Sequence, residues 1–484
     1  MPRSLDPTVA AGPPSAPGSD ATLVNDLHAQ LNATQVYRVV RPTSVAAIAA
    51  AIRDARAEHL AVSICGGRHA MGGQQFGAGT VLLDMTGMDR VLAFDAERGE
   101  IEVEAGIQWP TLVDYLIEEQ RGRERQWGIR QKQTGADRLS LGGALAANVH
   151  GRGLTFKPII DDVLSFTLVD AEGDVLTCDR EQNAELFRLV IGGYGLFGVV
   201  ASVRLRLAPR TKLRREVEIL DVEHLMPACE RRIADGLLYG DFQFAIDPNG
   251  DDFLRGGVFS CYRPVPANTP IPGEQRALSN EDWSGLLYLG HFDKRQAVDA
   301  YTAHYLATDG QVYWSDLHQL AEYLDNYHAE VDRRTGAAVP GSEMITELYV
   351  PRAALPAFMA DARADFRANN VNVVYGTIRL IERDDESFLP WAREPYACVI
   401  FNLHVDHTPA GVAQAAASFR RLIDLARQRG GSYYLTYHRF ASREQVEACY
   451  PGFRDFLATK LAHDPEERFQ SEWYRHHRAM FASS

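Results

Sequence analysis

Two hydrophobic periodicities divide the chain. Up to about residue 208, short β-like runs alternate with short helical stretches. The runs 36–40, 60–64, 81–84, 100–104 and 163–169 read as strands, and 43–59 and 110–120 as helices. Ala171-Glu172-Gly173-Asp174 reads as a hairpin turn between two strands. From about 210 to 440 the apolar alternation lengthens, over 213–220, 242–246, 258–262, 345–350, 372–381, 396–405 and 433–440. Long helical patterns such as 353–368 and 410–429 lie between these segments. That pattern predicts an α+β chain whose second part is one broad antiparallel sheet with helices on its far face. The last segment, 441–484, reads as a helix followed by Asp464-Pro465.

At 484 residues, the chain is long enough for two or three domains and a large core. Its net charge of −14 argues against a general nucleic-acid binder, because phosphate affinity rests on Lys and Arg. The six cysteines form no C-x-x-C pair, which points to reduced thiols and away from structural zinc. Residues 2–22 are rich in Pro, Ala, Gly and Ser, which predicts a disordered tail over 1–22 rather than a signal peptide. No apolar run is long enough to span a membrane, and a cytoplasmic location is the expectation.

One stretch carries candidate chemistry: Cys65-Gly66-Gly67-Arg68-His69-Ala70-Met71-Gly72-Gly73-Gln74, just after an apolar run. Glycines there let a turn aim several backbone N–H groups at one anion. Taken alone, it also reads as a glycine-rich surface turn. A second glycine cluster, Gly193-Tyr194-Gly195-Leu196-Phe197-Gly198, spells G-x-G-x-x-G but has the wrong surroundings for a dinucleotide fold. A helical stretch precedes it, and the alternating run 199–207 that follows is a strand.

Five pieces in order change the balance: Arg41-Pro42-Thr43-Ser44, Gly66-Gly67-Arg68-His69-Ala70, Val103-Glu104-Ala105-Gly106, Leu141-Gly142-Gly143-Ala144 with His150-Gly151-Arg152-Gly153, and Leu186-Phe187 leading into Gly193–Gly198. Together they resemble the flavin-binding module of the vanillyl-alcohol oxidase/p-cresol methylhydroxylase (PCMH-type) family over about 35–210. The resemblance implies a two-subdomain FAD-binding domain over 23–210 and a substrate-binding domain over 211–440. It also implies that 441–484 returns to the FAD domain. The cofactor contacts it implies are Gly66, Gly67, Arg68, His69, Ala70, Met71, Gln74, Thr134, Gly135, Gly142, Gly143, Asn148, His150, Gly151, Val199 and Val200. Many relatives attach the flavin covalently to a histidine at the position of His69, so a single linkage there is expected. Arg68 and Ala70 depart from the glycine and serine that relatives usually carry.

On the substrate side, strand alternation groups Tyr375, Thr377 and Arg379, and separately Asn402 and His404. Tyr437 and Arg439 alternate with His438 on the expected strand 433–440, and Glu347 shares a face with Tyr349. Arg379 is the expected cation near flavin or substrate. His438 and Tyr437 are the expected bases, with His404 and Asn402 as further catalytic candidates. Metal is not expected: His404 and His407 point to opposite sides of a strand, and the sequence shows no further ligand cluster. The leading reading is an FAD-dependent oxidoreductase acting on a CH–OH group of a small polar molecule, a sugar, polyol or lactone. Oxygen or another acceptor would close its cycle, and the resemblance allows a homodimer. An amine or phenol substrate, or a non-catalytic binding protein on the same fold, remains open.

Overall fold

The structure is a computed structural model and describes residues 22–321, 324 and 326–482. The expected tail lies outside these apart from Thr22. Chain order begins with β1 (Arg38–Val40), α1 (Val45–Ala57), β2 (Val62–Cys65) and β3 (Val81–Asp84), and these strands form a parallel sheet in the order β1-β3-β2. Next come β4 (Val91–Asp95), β5 (Glu100–Glu104), α2 (Trp109–Glu119), α3 (Leu141–Ala147), β6 (Val163–Val169), β7 (Val175–Asp179), α4 (Ala184–Val190) and β8 (Val199–Arg206). Their strands form an antiparallel sheet in the order β7-β6-β8-β5-β4.

Helix α1 forms because Ser44 caps it, its hydroxyl accepting from Ala47 N–H, and because Ile48, Ile52 and Ala55 recur on one face. That face is buried between the two sheets, against Val62, Val81 and Leu83 of one and Val169, Val199 and Ala201 of the other. Burying such an isoleucine contributes about 1.5–3 kcal/mol.

The second half is built on β9 (Lys212–Asp221), α5 (Val222–Ala234), β10 (Tyr239–Phe244), β11 (Gly256–Val265), α6 (Asn280–Phe292), α7 (Lys294–Ala307), β12 (Val312–Trp314) and α8 (Tyr327–Thr335). It continues with β13 (Gly341–Pro351), α9 (Leu355–Ala368), β14 (Val373–Ile381), β15 (Tyr396–Asp406), α10 (Pro409–Arg427) and β16 (Ser432–Tyr433). The strands make one eight-stranded sheet in the order β12-β9-β11-β10-β14-β15-β13-β16, as the long alternations predict. One face of its central strands carries Thr346, Leu348, Val399, Phe401 and Leu403 against α9 and α10, with Phe366 and Phe401 rings 5.0 Å apart. The other face carries Glu343, Ile345, Glu347, Arg379, Asn402 and His404 and turns towards the first half.

One expectation is corrected. The segment 433–440 is a strand only to Tyr433. Tyr434 N–H still donates to Glu347 O, but the chain then leaves the sheet because Leu435 and Thr436 carbonyls accept from the Gln74 amide. The helices α6 and α7 were not anticipated. Their apolar residues are mostly half-buried, so the amphipathic signal is weak.

The end of the chain comprises α11 (Arg443–Cys449), α12 (Phe453–His463) and α13 (Glu472–Ala482). Between α12 and α13, Arg468 O accepts from Val62 N–H at 2.7 Å, and Gln470 N–H donates to Val62 O at 2.9 Å. The C-terminal segment thereby lies beside β2, the strand that feeds the glycine loop. Asp464 fixes the turn, accepting from Arg468 N–H and Phe469 N–H while it pairs with the buried Lys460.

Candidate active site

The loop after β2 wraps one side of a cleft with about 1500 Å³ of empty space, its open mouth included. Gly66, Gly67, Arg68, His69, Ala70, Met71 and Gln74 all line it. Glycine is required at the start. A Cβ on Gly66 would stand 1.9 Å from Ser140 Oγ, and one on Gly67 would stand 2.1 Å from Arg138 O. Arg68 takes a left-handed φ of 58°, which costs a non-glycine residue about 1–2 kcal/mol, and its guanidinium lies 3.3 Å from Asp84. The N–H groups of Gly66, Gly67 and Ala70 bond to no other described residue, so they remain as donors facing the cleft. His69 is buried with its Nδ1 2.9 Å from His28 Nε2. Burial first, and then the neighbouring His69, push His28 down to about 3, so it is a neutral base.

Opposite the loop, Thr134, Gly135, Gly142, Gly143, His150 and Val200 line the cleft, together with the turn from Tyr194 to Gly198. The G-x-G-x-x-G stretch thus faces the cavity, although α4 precedes it and β8 follows it. Gly142 and Gly143, expected cofactor contacts, do not offer their N–H groups to the cleft. Gly142 N–H donates to Ala105 O at 2.7 Å, and Gly143 N–H is capped by Ser140 Oγ at 3.4 Å. Their value is steric, because Gly142 lets the helix end approach Ala105.

Three further expected contacts lie off the cleft. Asn148 ends α3 in the left-handed region, where its amide donates to Asp384 and its Oδ1 accepts from Ile160 N–H. Gly151 sits where a Cβ would come within 2.7 Å of Lys132 O, and Val199 packs in the core between the sheets.

The third wall is the sheet. Ile345, Glu347, Arg379, Tyr434, Thr436 and Tyr437 complete the lining. Gln74 reaches across to the carbonyl of Thr436 at 2.7 Å, tying the glycine loop to the segment that carries Tyr437. Arg379 is 9% exposed, and its Nε has no hydrogen-bond partner among the described residues. An orphaned buried guanidinium of this kind calls for an anionic or hydroxylated ligand. Glu347 is 1% exposed, and its Oε1 lies 2.6 Å from His150 Nε2. His150 Nδ1 donates to Gly151 O, so one proton is shared between Nε2 and the carboxylate.

The expected bases change. Burial, and then Glu347, raise the Tyr437 phenol far above its usual value, so it stays protonated and acts as a donor. His438 is not in the cleft. It lies on the helix side of the sheet, stacked on Phe419 at 4.6 Å with Nε2 3.2 Å from Thr346, and burial pushes it down to about 3. The period-two reading that paired it with the cleft fails because 434–440 is not a strand. Asn402 stands across from Ile345 just off the wall, and His404 lies further along the same face beside Glu343. Glu347 and His28 were not singled out as site residues from sequence. A single acidic residue inside the apolar run 344–350 was the available signal for Glu347.

Loop, helix end and sheet face together fit a dinucleotide with a flat redox ring: free N–H donors at one end of the cleft, a cation and a proton-sharing pair at the other. Residues 37–179 match the family described as FAD binding domain. The match falls inside the stretch where the ordered motifs place a flavin-binding module. Over 251 residues it is 29% identical to an L-gulono-1,4-lactone dehydrogenase of Mycobacterium tuberculosis, covering 52% of this chain and 55% of that protein. It is 32% identical over 205 residues to a mitochondrial L-galactono-1,4-lactone dehydrogenase of rice, covering 41% and 34%. With L-gulonolactone oxidase of mouse the identity is 27% over 198 residues, covering 41% of each. The chain thus spans about half the length of the mycobacterial relative, and less of the other two. Among the described residues, no helix is long and apolar enough to cross a membrane.

Proposed function

We propose that the protein is an FAD-dependent oxidoreductase that oxidises a CH–OH group of a small polar molecule of the sugar-lactone or polyol class. The observation that carries this reading is the shared cleft: the glycine loop and the sheet face bearing Arg379, Glu347 and Tyr437 line one cavity. FAD, when bound, supplies the hydride acceptor. The N–H groups of Gly66, Gly67 and Ala70 hold its diphosphate, and His69 is its covalent attachment point. The Glu347 carboxylate, held by His150, takes the hydroxyl proton as the carbon gives up hydride. Tyr437 donates to a substrate oxygen, and Arg379 lends positive charge where negative charge develops. The relatives named for gulono- and galactono-lactones support the lactone class.

The test is anaerobic mixing of the purified protein with lactones, alditols, simple alcohols and amines while flavin absorbance is followed. Bleaching by a lactone or polyol is expected, and recolouring rate on admitting air separates oxygen from another acceptor. Bleaching by amines alone would overturn the substrate class. Acid precipitation tests the linkage: yellow colour stays with the pellet if His69 is bonded and passes to the supernatant if it is not.

A further inference from the structure

A second cluster of chemically competent side chains lies on the same sheet face, beyond the cleft. Glu343 on β13 and His404 on β15 are direct cross-strand partners, and Glu343 lies two residues along from the cleft-lining Ile345. That spacing puts it roughly 7 Å further along the strand. His291 of α6 reaches down to the same point. Its Nε2 lies 2.9 Å from Glu343 Oε1, and His404 Nδ1 lies 3.6 Å from that oxygen. The three ligand atoms lie within 4.8 Å of one another. Their side chains are 6%, 3% and 20% exposed, so the group is largely buried, with His404 the most exposed of the three.

The pairing concentrates two imidazoles on one carboxylate oxygen. His291 Nε2 and His404 Nδ1 both face that oxygen, at 2.9 and 3.6 Å. The two rings stand perpendicular at 88° with centroids 5.1 Å apart. The outer shell is already built. His404 Nε2 is 3.3 Å from Asp406 Oδ1, which orients the ring and leaves Nδ1 pointing inward. His328 Nδ1 lies 2.8 Å from the other Glu343 oxygen, and the Tyr327 hydroxyl bonds that oxygen too. Gly341 makes room for the imidazole, since a Cβ there would stand 2.3 Å from His404 Cε1.

We propose that His291, Glu343 and His404 form a binding site for a divalent transition-metal ion of the zinc class. Two imidazoles and one carboxylate suit such an ion, and three protein ligands leave a position open to water. The ion fastens α6, which is linked to the sheet by few other buried side chains, onto β13 and β15. The sequence hides the site because its ligands lie at 291, 343 and 404, with His407 turned away to bond Ser342.

The test uses tag-free full-length protein, stripped with a chelator, desalted and titrated with zinc, and separately with cobalt(II). About one zinc per chain retained through gel filtration is expected, with a thermal midpoint several degrees higher and a cobalt ligand-field band. Glu343→Gln and His404→Gln should each lose the retained metal. Asp406→Asn, at an exposed position, should keep the fold and weaken zinc binding about 10–100-fold. Wild-type protein that retains no zinc and shows no thermal shift would overturn the proposal. So would a folded Asp406→Asn variant with unchanged affinity, or Glu343→Gln and His404→Gln variants that retain zinc as wild type does.

Discussion

His28, His438 and His477 are each held as neutral imidazoles, pushed from 6.5 down to about 3 chiefly by burial. Because the folded value lies below the unfolded one, the unfolded chain binds more protons between about 3 and 6.5. Their contribution to stability is therefore complete above pH 6.5 and is lost as pH falls below it. The thermal midpoint should drop steeply on acidification, and His438→Phe should flatten that drop while bleaching rates stay within about threefold. In contrast, Arg379→Met and Glu347→Gln should each slow substrate-driven bleaching about 100-fold or more without loss of bound flavin. Stopped-flow absorbance separates the two outcomes, and a His438 variant as slow as the Arg379 variant would contradict the assignment. Arg379 was legible in the sequence because 373–381 is a true strand, so period two reports its face. His438 was misread for the complementary reason: the backbone stops being a strand one residue after Tyr433, and no local pattern records a hydrogen bond from Gln74 far away in the chain.

At the scale of elements, the large sheet depends on a slender junction. β10 and β14 join its two halves, and the pair Phe242–Ile378 marks their register. Gly376 lets Phe244 pack across that junction, since a Cβ there would meet Phe244 Cζ at 2.0 Å and Ile400 O at 2.7 Å. The carbonyl belongs to a central strand and has no room to shift. Gly376→Ala should therefore cost about 1–3 kcal/mol, read as a lower midpoint in denaturant with an unchanged slope. A variant as stable as wild type would show that the junction is looser than this. The strands 81–84, 100–104 and 163–169 were readable to the residue because turns bound their apolar runs closely. α6 and α7 were not, since half-buried helices spread their apolar residues around the whole circumference.

For the molecule as a whole, the cleft exists only where three distant stretches meet: the glycine loop, the turn after α4 and the sheet face. The chain's end helps to hold them. Phe469 lies in the core beside β2, and Glu472 N–H donates to Phe76 O at 2.7 Å. Removing residues from 464 onward should leave protein that retains little flavin, measured as absorbance per chain, whereas full retention would show that the segment is dispensable. The order of five short motifs made the flavin module legible, but most of the wall facing it, Arg379 apart, was not. Glu347, Tyr434 and Ile345 enter the cleft through strand pairing across the second half of the chain, and pairing leaves no local trace. The central claim is that main-chain amides of the glycine loop hold the flavin against this sheet. The most direct test is the visible spectrum of the full-length protein beside that of Gly67→Val, with circular dichroism to confirm the fold of both. The account predicts about one flavin per chain in the wild type and almost none in a folded variant, because the new side chain would collide with Arg138 O. A colourless wild type that takes up no FAD, or a variant that keeps its full yellow colour, would contradict it.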